Sequence, residues 1–285
     1  MRTRRVGKGT SAQGLVARHH LGLTGYVRFL SNRPGGNNGH GMDDLSGRFG
    51  RERVEPQERR QRIRSLFNAI APRYDLMNDL MSGGTHRLWK ARFTKAAAAA
   101  VGNASVLDLA GGTGDIALGV LKHRPDAAIV ICDPSTGMLG VAVKRDAAAY
   151  DAVAAEGETL PFGDESFGVV TLSFGLRNMT DPQCVLDECL RVLRPGGQLF
   201  ILEFSQPVWW FAPAYRLYSR IVIPALGALV AGHRGAYRYL VESIAGFPDA
   251  ETVSQTLLAT GFGKVTADRL FFGIAAIHVA AKPDG

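Results

Sequence analysis

Short apolar runs alternate with helix-compatible stretches along the middle of the chain. Runs rich in Val, Ile, Leu and Phe lie near residues 105–109, 128–132, 167–173 and 198–204. The segments between them carry apolar residues at helical spacing, at 115–123, 136–149 and 181–193. Because strands separated by helices pair side by side, this order predicts an α/β fold with a mostly parallel sheet and helices on both of its faces.

The pattern changes at both ends of this alternating region. Before it, apolar spacing predicts three helices, at Pro56–Ile70, Tyr74–Met81 and His86–Ala100. After it come a helix near 249–260 and two strand-like runs, Gly263–Leu270 and Gly273–Ala280. We therefore expect a helical cap at about 56–100 and a closing antiparallel hairpin. The run Leu193-Arg-Pro-Gly-Gly197 predicts a helix stop and a turn into the last central strand.

A glycine-rich turn follows the first of the central strands. The strand Val106–Leu109 leads into Gly111, Gly112 and Gly114, where the backbone can approach a ligand closely. The spacing is not the G-x-G-x-x-G of dinucleotide sites. Asp108 and Asp115 flank the turn, and their carboxylates disfavour a pyrophosphate and favour a cationic or hydroxylated ligand. S-adenosylmethionine fits this chemistry, although a βα turn without a ligand has the same sequence features.

A second acidic residue ends the next strand. Asp133 lies 19 residues after Gly114, the spacing at which a carboxylate binds the hydroxyls of an adenosine ribose. The alternative is that Asp133 caps the helix that begins after Pro134.

Composition and cysteine spacing limit the choices further. The chain has 285 residues, 46% of them hydrophobic, which is enough for one large domain with appendages. Its three cysteines have no metal-ligand spacing, and their odd number argues against a disulfide framework. The sequence therefore predicts no metal site and a reducing compartment.

The net charge of +7 comes from the first 41 residues. They hold seven basic and no acidic residues, while the rest of the chain balances 26 basic against 26 acidic residues. We therefore expect no nucleic-acid partner for the domain at 42–285, and a disordered basic extension at 1–41. Three explanations compete for the extension: an upstream translation start with Met42 as the natural one, which we favour, a transit peptide, or a basic arm that contacts anionic lipid.

An apolar segment near the C-terminal third predicts a lid at about 208–246. Residues 208–230 are rich in aromatic and aliphatic side chains but are interrupted by Pro213, Arg216, Arg220 and Pro224. The run is therefore not a membrane-spanning helix. It suits a lid that lies on a membrane surface with tryptophans at the headgroup level, or else a helix that covers the sheet or forms a dimer interface.

Several longer motifs resemble one family. They are Ser65–Lys90 (SLFNAIAPRYDLMNDLMSGGTHRLWK), 106–115, Glu158–Phe162, Ser173–Asp181 (SFGLRNMTD), Arg191–Gly197, Leu202–Ser205 and Tyr237–Ile244. In these stretches the chain resembles the ubiquinone/menaquinone biosynthesis C-methyltransferase family over roughly residues 47–282. The resemblance implies a Rossmann-like class I methyltransferase fold. It also implies methylation of a ring carbon on a polyprenylated benzoquinol or naphthoquinol, with S-adenosyl-L-methionine as the donor.

The resemblance also carries over cofactor positions. They fall on Thr113, Asp133 and Ser173, beside Asp108 and the glycines of the turn. A further family pair, usually Asn-Ala or Asp-Ala, falls on Glu156-Gly157, which is a departure because the glutamate is longer and charged. The segment before this pair is short, so we expect a shortened third strand.

Candidate catalytic residues follow the fourth strand and open the cap. Arg177 is suited to stabilise a developing phenolate by charge, and Asn178 to orient a ring oxygen, although both also suit a loop anchor. Tyr74 and Asp75 are expected to face the quinol. For Tyr74 the alternative is packing in the core. His86 is catalytic by residue type but stands alone near a helix start.

Two rival functions remain at this stage. The chain could methylate another lipid or phenolic acceptor, or it could be an inactive scaffold in a quinone-biosynthesis complex. We expect the protein in the bacterial cytoplasm, peripheral to the inner membrane. A homodimer or membership of a quinone-biosynthesis complex is possible. If residues 1–41 are a transit peptide, the expected location is the mitochondrial matrix.

A truncated variant that begins at Met42 is expected to keep the thermal unfolding temperature and the methyl-transfer activity of the full chain. The reason is that residues 1–41 lack the apolar spacing of a packed segment. Calorimetric unfolding and a transfer assay check this. A clear loss of thermal stability would show that the extension packs on the domain.

Overall fold

The computed structural model describes residues 47–230 and 234–285. The predicted extension at 1–41 lies outside the described residues. The helices are α1 (Pro56–Ile70), α2 (Tyr74–Ser82), α3 (Thr85–Ala100), α4 (Asp115–Leu121), α5 (Thr136–Arg145), α6 (Pro182–Val192), α7 (Ala212–Val230), α8 (Arg234–Ala245) and α9 (Ala250–Thr260). The strands are β1 (Arg48–Phe49), β2 (Glu52–Arg53), β3 (Val106–Leu109), β4 (Ile129–Cys132), β5 (Asp151–Val153), β6 (Phe167–Ser173), β7 (Leu193–Phe204), β8 (Lys264–Leu270) and β9 (Ala275–Ala281).

The central sheet has the strand order β5-β4-β3-β6-β7-β9-β8. Strands β5, β4, β3, β6 and β7 are parallel, and β9 pairs antiparallel with both β7 and β8. This arrangement confirms the predicted parallel sheet and its closing hairpin. The shortened third strand is also present, as the three-residue β5. The small β1–β2 hairpin ahead of the cap was not expected from the sequence.

Two apolar layers enclose the sheet, because neighbouring residues of a strand point to opposite faces. On one face, Leu107 and Leu109 of β3 belong to the same buried cluster as residues of α6 and α9. On the other face, Val106 belongs to a cluster that contains Phe93 of α3 and Val120 of α4. All four residues of β3 are buried, as expected for a central parallel strand.

Strand β7 is longer than the sequence predicts. Leu193 pairs with Phe167, and the next pair joins Val169 to Gln198, so four residues of β7 lie opposite one residue of β6. This bulge contains Gly196 in a left-handed conformation, with φ of 71°. The predicted turn at Leu193–Gly197 is therefore wrong as a strand boundary, since its glycines bend the strand and do not end it.

Helices α1, α2 and α3 form a group that we call the cap, and its first helix docks on the start of α5. The Oδ1 atom of Asn68 in α1 accepts hydrogen bonds from the Ser135 hydroxyl at 2.7 Å and from the Gly137 amide at 3.0 Å. A Cβ at Gly137 would lie 2.8 Å from the same oxygen, so glycine permits the close contact. The cap thereby covers the carboxyl ends of the parallel strands, where ligands of α/β sheets bind.

The segment predicted as an apolar lid contains α7 and α8, which pack against each other. Helix α7 also packs against α2 of the cap. Within the described ranges, no helix combines the length and hydropathy needed to cross a bilayer.

Candidate active site

The glycine turn after β3 has a backbone that few other residues could adopt. Gly112 and Gly114 have φ of 56° and 79°, and Ala110 has φ of 52°. A Cβ at Gly111 would lie 2.6 Å from the Ile131 side chain and 2.9 Å from the Asp108 carbonyl oxygen. Gly111 is therefore required by contact, while Gly112 and Gly114 are required by their left-handed conformation.

Asp108 lies beneath this turn and does not line a cavity. Its Oδ1 accepts a hydrogen bond from the Thr171 hydroxyl at 2.8 Å, and its Oδ2 accepts one from the Ala117 amide at 3.2 Å. Burial raises the pKa of the Asp108 carboxyl to about 7. The structure thus places Asp108 as a brace between β3, β6 and α4.

Asp133 stands at the end of β4 with its carboxylate fixed by two backbone donors. The amide of Ser135 donates to Oδ1 at 2.8 Å, and the amide of Gly112 donates to Oδ2 at 3.0 Å. Burial raises the pKa of Asp133 to about 6, against the lowering by these hydrogen bonds. Asp133, the residue predicted to bind the ribose, is therefore already attached to the glycine turn before any ligand binds.

A cleft lies between the cap and the carboxyl ends of the strands. Of the predicted cofactor positions, those on its wall are Gly111, Gly112, Thr113, Asp133, Glu156 and Ser173. Those not on its wall are Asp108, Gly114 and Gly157. The Ser173 hydroxyl is buried and has no hydrogen-bond partner among the described residues. An unused hydroxyl beside an oriented carboxylate fits a polar ligand such as S-adenosylmethionine.

The departure at Glu156-Gly157 has a partner in the cap. Arg64 of α1 forms an ion pair with Glu156, and both side chains line the cleft. Gly157 lies behind the wall, where a Cβ would come within 3.4 Å of Val185 and Met179. The extra negative charge at this position is therefore balanced by an arginine that the sequence alone did not connect to it.

The two other acidic candidates are also paired. Asp115 accepts from Lys90 of α3 at 2.8 Å, on the wall of the cleft. Asp75 pairs with Arg145 of α5, whose guanidinium also donates to the Thr113 carbonyl oxygen at 3.3 Å. These ion pairs tie the cap helices to the glycine turn.

The loop Phe174–Met179 follows β6 and separates the cleft from a second cavity. Phe174 has φ of 55°, an unusual conformation for a residue with a Cβ, and such strain is concentrated at functional sites. Arg177 and Glu203 of β7 are both buried and form an ion pair at 2.8 Å. The same guanidinium nitrogen of Arg177 donates to the Phe174 carbonyl oxygen at 2.5 Å.

Arg59 of α1 holds this loop from the opposite side. Its guanidinium donates to the carbonyl oxygens of Arg177, Asn178 and Met179 at 2.8–3.1 Å. A fourth bond, from Nε, reaches the Arg48 carbonyl oxygen at 2.7 Å. Arg59 is 2% exposed, and burial lowers its pKa. Sequence reasoning missed this residue, because an arginine in an amphipathic helix has the pattern of a solvated face.

Asn178 uses both ends of its side-chain amide within the protein. Nδ2 donates to the Phe174 carbonyl oxygen at 3.1 Å, and Oδ1 accepts from the Tyr239 hydroxyl at 2.9 Å. The Tyr239 ring in turn stacks on Phe49, with ring centroids 4.5 Å apart. The arrangement matches the loop-anchor alternative, although Asn178 also lines the cleft.

The second cavity has a mainly apolar wall. Helices α2, α3, α7 and α8 contribute to it, together with the loop and the turn between β8 and β9. Arg177 and His86 are among the polar residues on its wall, and the Nε atom of Arg177 has no partner in the described chain. The two cavities share Tyr74 and Phe174, so a ligand in each would meet at these rings.

No group of three or more His, Cys, Asp or Glu side chains within 47–230 and 234–285 is arranged to hold a metal ion. At this site a polar cleft and an apolar cavity are in contact. Such a pair suits the transfer of a small group between a polar donor and an apolar acceptor.

Comparisons with known proteins agree with this geometry. A model of the ubiE/COQ5 methyltransferase family matches residues 55–282. The ubiquinone/menaquinone biosynthesis C-methyltransferase UbiE of Rubrivivax gelatinosus is 48% identical over 238 residues, which cover 84% of this chain and 94% of that protein. A mitochondrial 2-methoxy-6-polyprenyl-1,4-benzoquinol methylase of Caenorhabditis elegans is 40% identical over 265 residues, covering 90% and 93%.

Solved structures support the fold. A SAM-dependent methyltransferase of Thermotoga maritima, described as a possible histamine N-methyltransferase, superposes with a TM-score of 0.55 at 17% identity. The match covers 77% of this chain and 99% of that one.

Replacing Asp133 by Asn is expected to weaken S-adenosylmethionine binding at least about tenfold at pH 7.5, because a charge-assisted bond is lost. Without a ligand the Asp133 carboxyl has a pKa of about 6. The wild-type affinity should therefore fall as the pH drops from 7.5 to 5, where this carboxyl is protonated. The Asn variant should lack this dependence. Calorimetric titration measures both, with Asp126→Asn on the exposed surface as the control. Equal affinity of Asp133→Asn and the wild type at pH 7.5 would remove Asp133 from the donor site.

Proposed function

The chain belongs to the ubiE/COQ5 methyltransferase family, and we propose that it transfers the methyl group of S-adenosylmethionine to a ring carbon of a polyprenylated quinol. The acceptor is a benzoquinol or naphthoquinol of ubiquinone or menaquinone biosynthesis, as the names of the relatives indicate. The observation that carries the proposal is the meeting of a polar cleft and an apolar cavity at Tyr74 and Phe174.

The polar cleft is the proposed donor site. When bound there, S-adenosylmethionine supplies a methyl group activated by its sulfonium. Asp133 would accept hydrogen bonds from the ribose, because its carboxylate is already oriented by two amides. The unpartnered Ser173 hydroxyl and the backbone of Gly111 and Gly112 complete the polar wall. Glu156 is neutralised by Arg64, so its charge does not prevent it from lining the adenosine end.

The apolar cavity is the proposed acceptor site. A quinol ring between Tyr74 and Phe174 would present its ring carbon toward the donor cleft, with its tail among the aromatic residues of α7. The Nε–H group of Arg177 is buried without a partner and is available to a quinol oxygen. Because Glu203 balances the charge of Arg177, we assign Arg177 to orienting that oxygen and stabilising the negative charge that develops on it.

Asn178 and Tyr74 have supporting parts in this proposal. Both ends of the Asn178 amide are engaged by the protein, so we assign Asn178 to holding the loop. Tyr74 is half-buried and in edge contact with Phe67, and we assign it to separating and positioning the two ligands. Holding both reactants in one geometry lowers the entropic part of the barrier.

The mouth of the acceptor cavity is the proposed membrane contact. Trp209 and Trp210 before α7, with Phe271 and Phe272 of the β8–β9 turn, form an exposed group that we call the aromatic ridge. Their exposed fractions are 86%, 54%, 51% and 48%. The rings of Trp210 and Phe272 are 5.1 Å apart, and Phe271 also lines the cavity. Tryptophans favour the headgroup level of a bilayer, where a prenyl tail would leave the lipid.

We propose that the chain acts in the bacterial cytoplasm at the inner membrane. The support is the relatives from bacteria at 44–48% identity, against 40% for the mitochondrial relative. A mitochondrial location stays the alternative if residues 1–41 are a transit peptide.

The function is tested by single-turnover transfer of radiolabelled methyl from the donor to a short-tailed demethylated quinol. The wild type is expected to label a ring carbon, as mass fragmentation of the product would show. Label on an oxygen, or transfer only to another lipid or phenol, would replace the proposed acceptor. Donor binding without transfer to any acceptor would support the scaffold alternative.

The part played by Arg177 is tested with its ion pair removed. Arg177→Met alone would leave the Glu203 carboxylate buried without a cation, a loss of about 3–5 kcal/mol. The informative variant therefore combines Arg177→Met with Glu203→Gln, and its thermal unfolding temperature is compared with that of the wild type to show that the fold is kept. The double variant is expected to transfer on the order of 10²-fold more slowly with donor affinity within about threefold. Near-normal transfer would remove Arg177 from the mechanism, and lost donor binding would assign the loop to the donor site.

The aromatic ridge is tested by flotation with vesicles of phosphatidylethanolamine and phosphatidylglycerol. Replacing Trp209 and Trp210 by Ser is expected to lower vesicle affinity at least about tenfold. A tenfold change in affinity corresponds to about 1.4 kcal/mol, and the burial of one aromatic side chain contributes more than that. Leu258→Ser, on the exposed face of α9, is the matched control. Unchanged flotation of the tryptophan variant would contradict the proposal, and a change in oligomeric state would assign the ridge to a protein contact.

A further inference from the structure

His86 lies in the wall of the acceptor cavity with one ring nitrogen already engaged. It is the second residue of α3 and is 6% exposed. Its Nδ1 atom lies 2.8 Å from the Ser82 hydroxyl oxygen, at the end of α2. Nε2 receives no hydrogen bond from the part of the chain that the structure describes. Because Nδ1 is directed at Ser82, Nε2 is the nitrogen available to a ligand in the cavity.

Ser82 is the hydrogen-bond partner of the His86 ring. Its hydroxyl is placed to donate to the Asn78 carbonyl oxygen at 2.8 Å. In that arrangement its oxygen accepts from His86, and we assign the ring hydrogen to Nδ1. Nε2 then carries the lone pair. This is the arrangement of a general base whose second nitrogen is held by a neighbouring acceptor.

The charges around His86 come from three elements. Asp79 of α2 lies 3.8 Å from Nδ1, Lys90 and Arg87 belong to α3, and Asp115 begins α4. Burial lowers the pKa of His86, and Lys90 lowers it further, against the smaller effect of the two aspartates. The ring is therefore neutral at pH 7 and can accept a proton.

We propose that Nε2 of His86 is the base that takes the hydroxyl proton of the quinol acceptor. As that proton moves to Nε2, the oxygen electron pair is delocalised into the ring and a ring carbon forms its bond to the methyl carbon. The electron pair of the broken bond between sulfur and the methyl carbon stays on sulfur. The ring carbon proton then moves to the oxygen, the quinol is restored, and the imidazolium releases one proton to solvent. This inference rests on the proposed function and adds the group that accepts the proton.

The first test is single-turnover transfer by His86→Gln, with His123→Gln on the exposed surface as the control. The expected loss for His86→Gln is about 10²-fold or more at pH 7.5, with donor affinity within about threefold. The wild-type rate should rise with pH to a plateau and reach half of that plateau below the ordinary histidine pKa of about 6.5, since the neutral ring is the active form. The variant should show no such plateau.

A substrate change separates a base from a structural residue. With a fluorinated quinol, whose hydroxyl ionises more readily, the transfer rate of His86→Gln should be only about tenfold or less below that of the wild type. Ser82→Ala, which keeps His86 but removes the acceptor for Nδ1, should lose less than His86→Gln and shift the pH at which the rate levels off. A deficit that is the same for both quinols would overturn the proposal, as would a His86→Gln rate within threefold of the wild type.

A binding experiment without the donor gives an independent readout. A short-tailed nitrophenol in the acceptor cavity should appear as its coloured phenolate at a lower pH in the wild type than in His86→Gln. Equal titration in the two proteins would contradict proton transfer to His86. If the wild type itself transfers no methyl group to a quinol, the proposed function fails, whereas a fully active His86→Gln variant refutes only the part assigned to His86.

Discussion

The arrangement of the whole site depends on how the loop Phe174–Met179 is held. On one side, the buried carboxylate of Glu203 pairs with Arg177 and also accepts the backbone amides of Arg177 and Phe204. On the other side, Arg59 donates to three consecutive carbonyl oxygens of the loop. Two charged groups buried together are costly to desolvate, and the hydrogen bonds to the Glu203 carboxylate and to the Phe174 carbonyl oxygen offset part of that cost. These contacts hold Phe174 between the two cavities.

This loop also joins parts of the chain that are far apart in sequence. Arg59 belongs to the cap, Glu203 to the sheet and Tyr239 to α8, and each contacts the loop directly. The cap is fixed a second time at the glycine turn, where Arg145 bridges Asp75 and the Thr113 carbonyl oxygen. Because both cavities have walls from the cap and from the sheet, neither would exist in the sheet domain alone. The site is thus a property of the docked cap, and loosening the cap would open both cavities together.

Much of this could be predicted from the sequence, for identifiable reasons. Apolar spacing gave α1 its full extent, and the glycines beside an acidic strand end mark one wall of the polar cleft, because these signals are local. The contacts that hold the site are not local. Arg59 is 118 positions from Arg177, and an arginine within a helix has no feature that distinguishes a clamp from a solvated face. Glu203 has the sequence context of an ordinary strand residue, and the partner of Glu156 is on another element. The length of strand β7 was underestimated, because proline and glycine occur where a strand bends as well as where it ends.

The turn between β8 and β9 places two phenylalanines in succession in the left-handed region, with φ of 43° and 57°. Each such residue costs roughly 1–2 kcal/mol relative to its preferred backbone, which glycine or asparagine would largely avoid. About half of each side chain is exposed to solvent, so burial and the ring contacts with Trp210 and Phe211 offset only part of this strain. Phe271 also belongs to the wall of the apolar cavity. A redesign of this chain guided by backbone strain alone would therefore replace a residue that shapes that cavity.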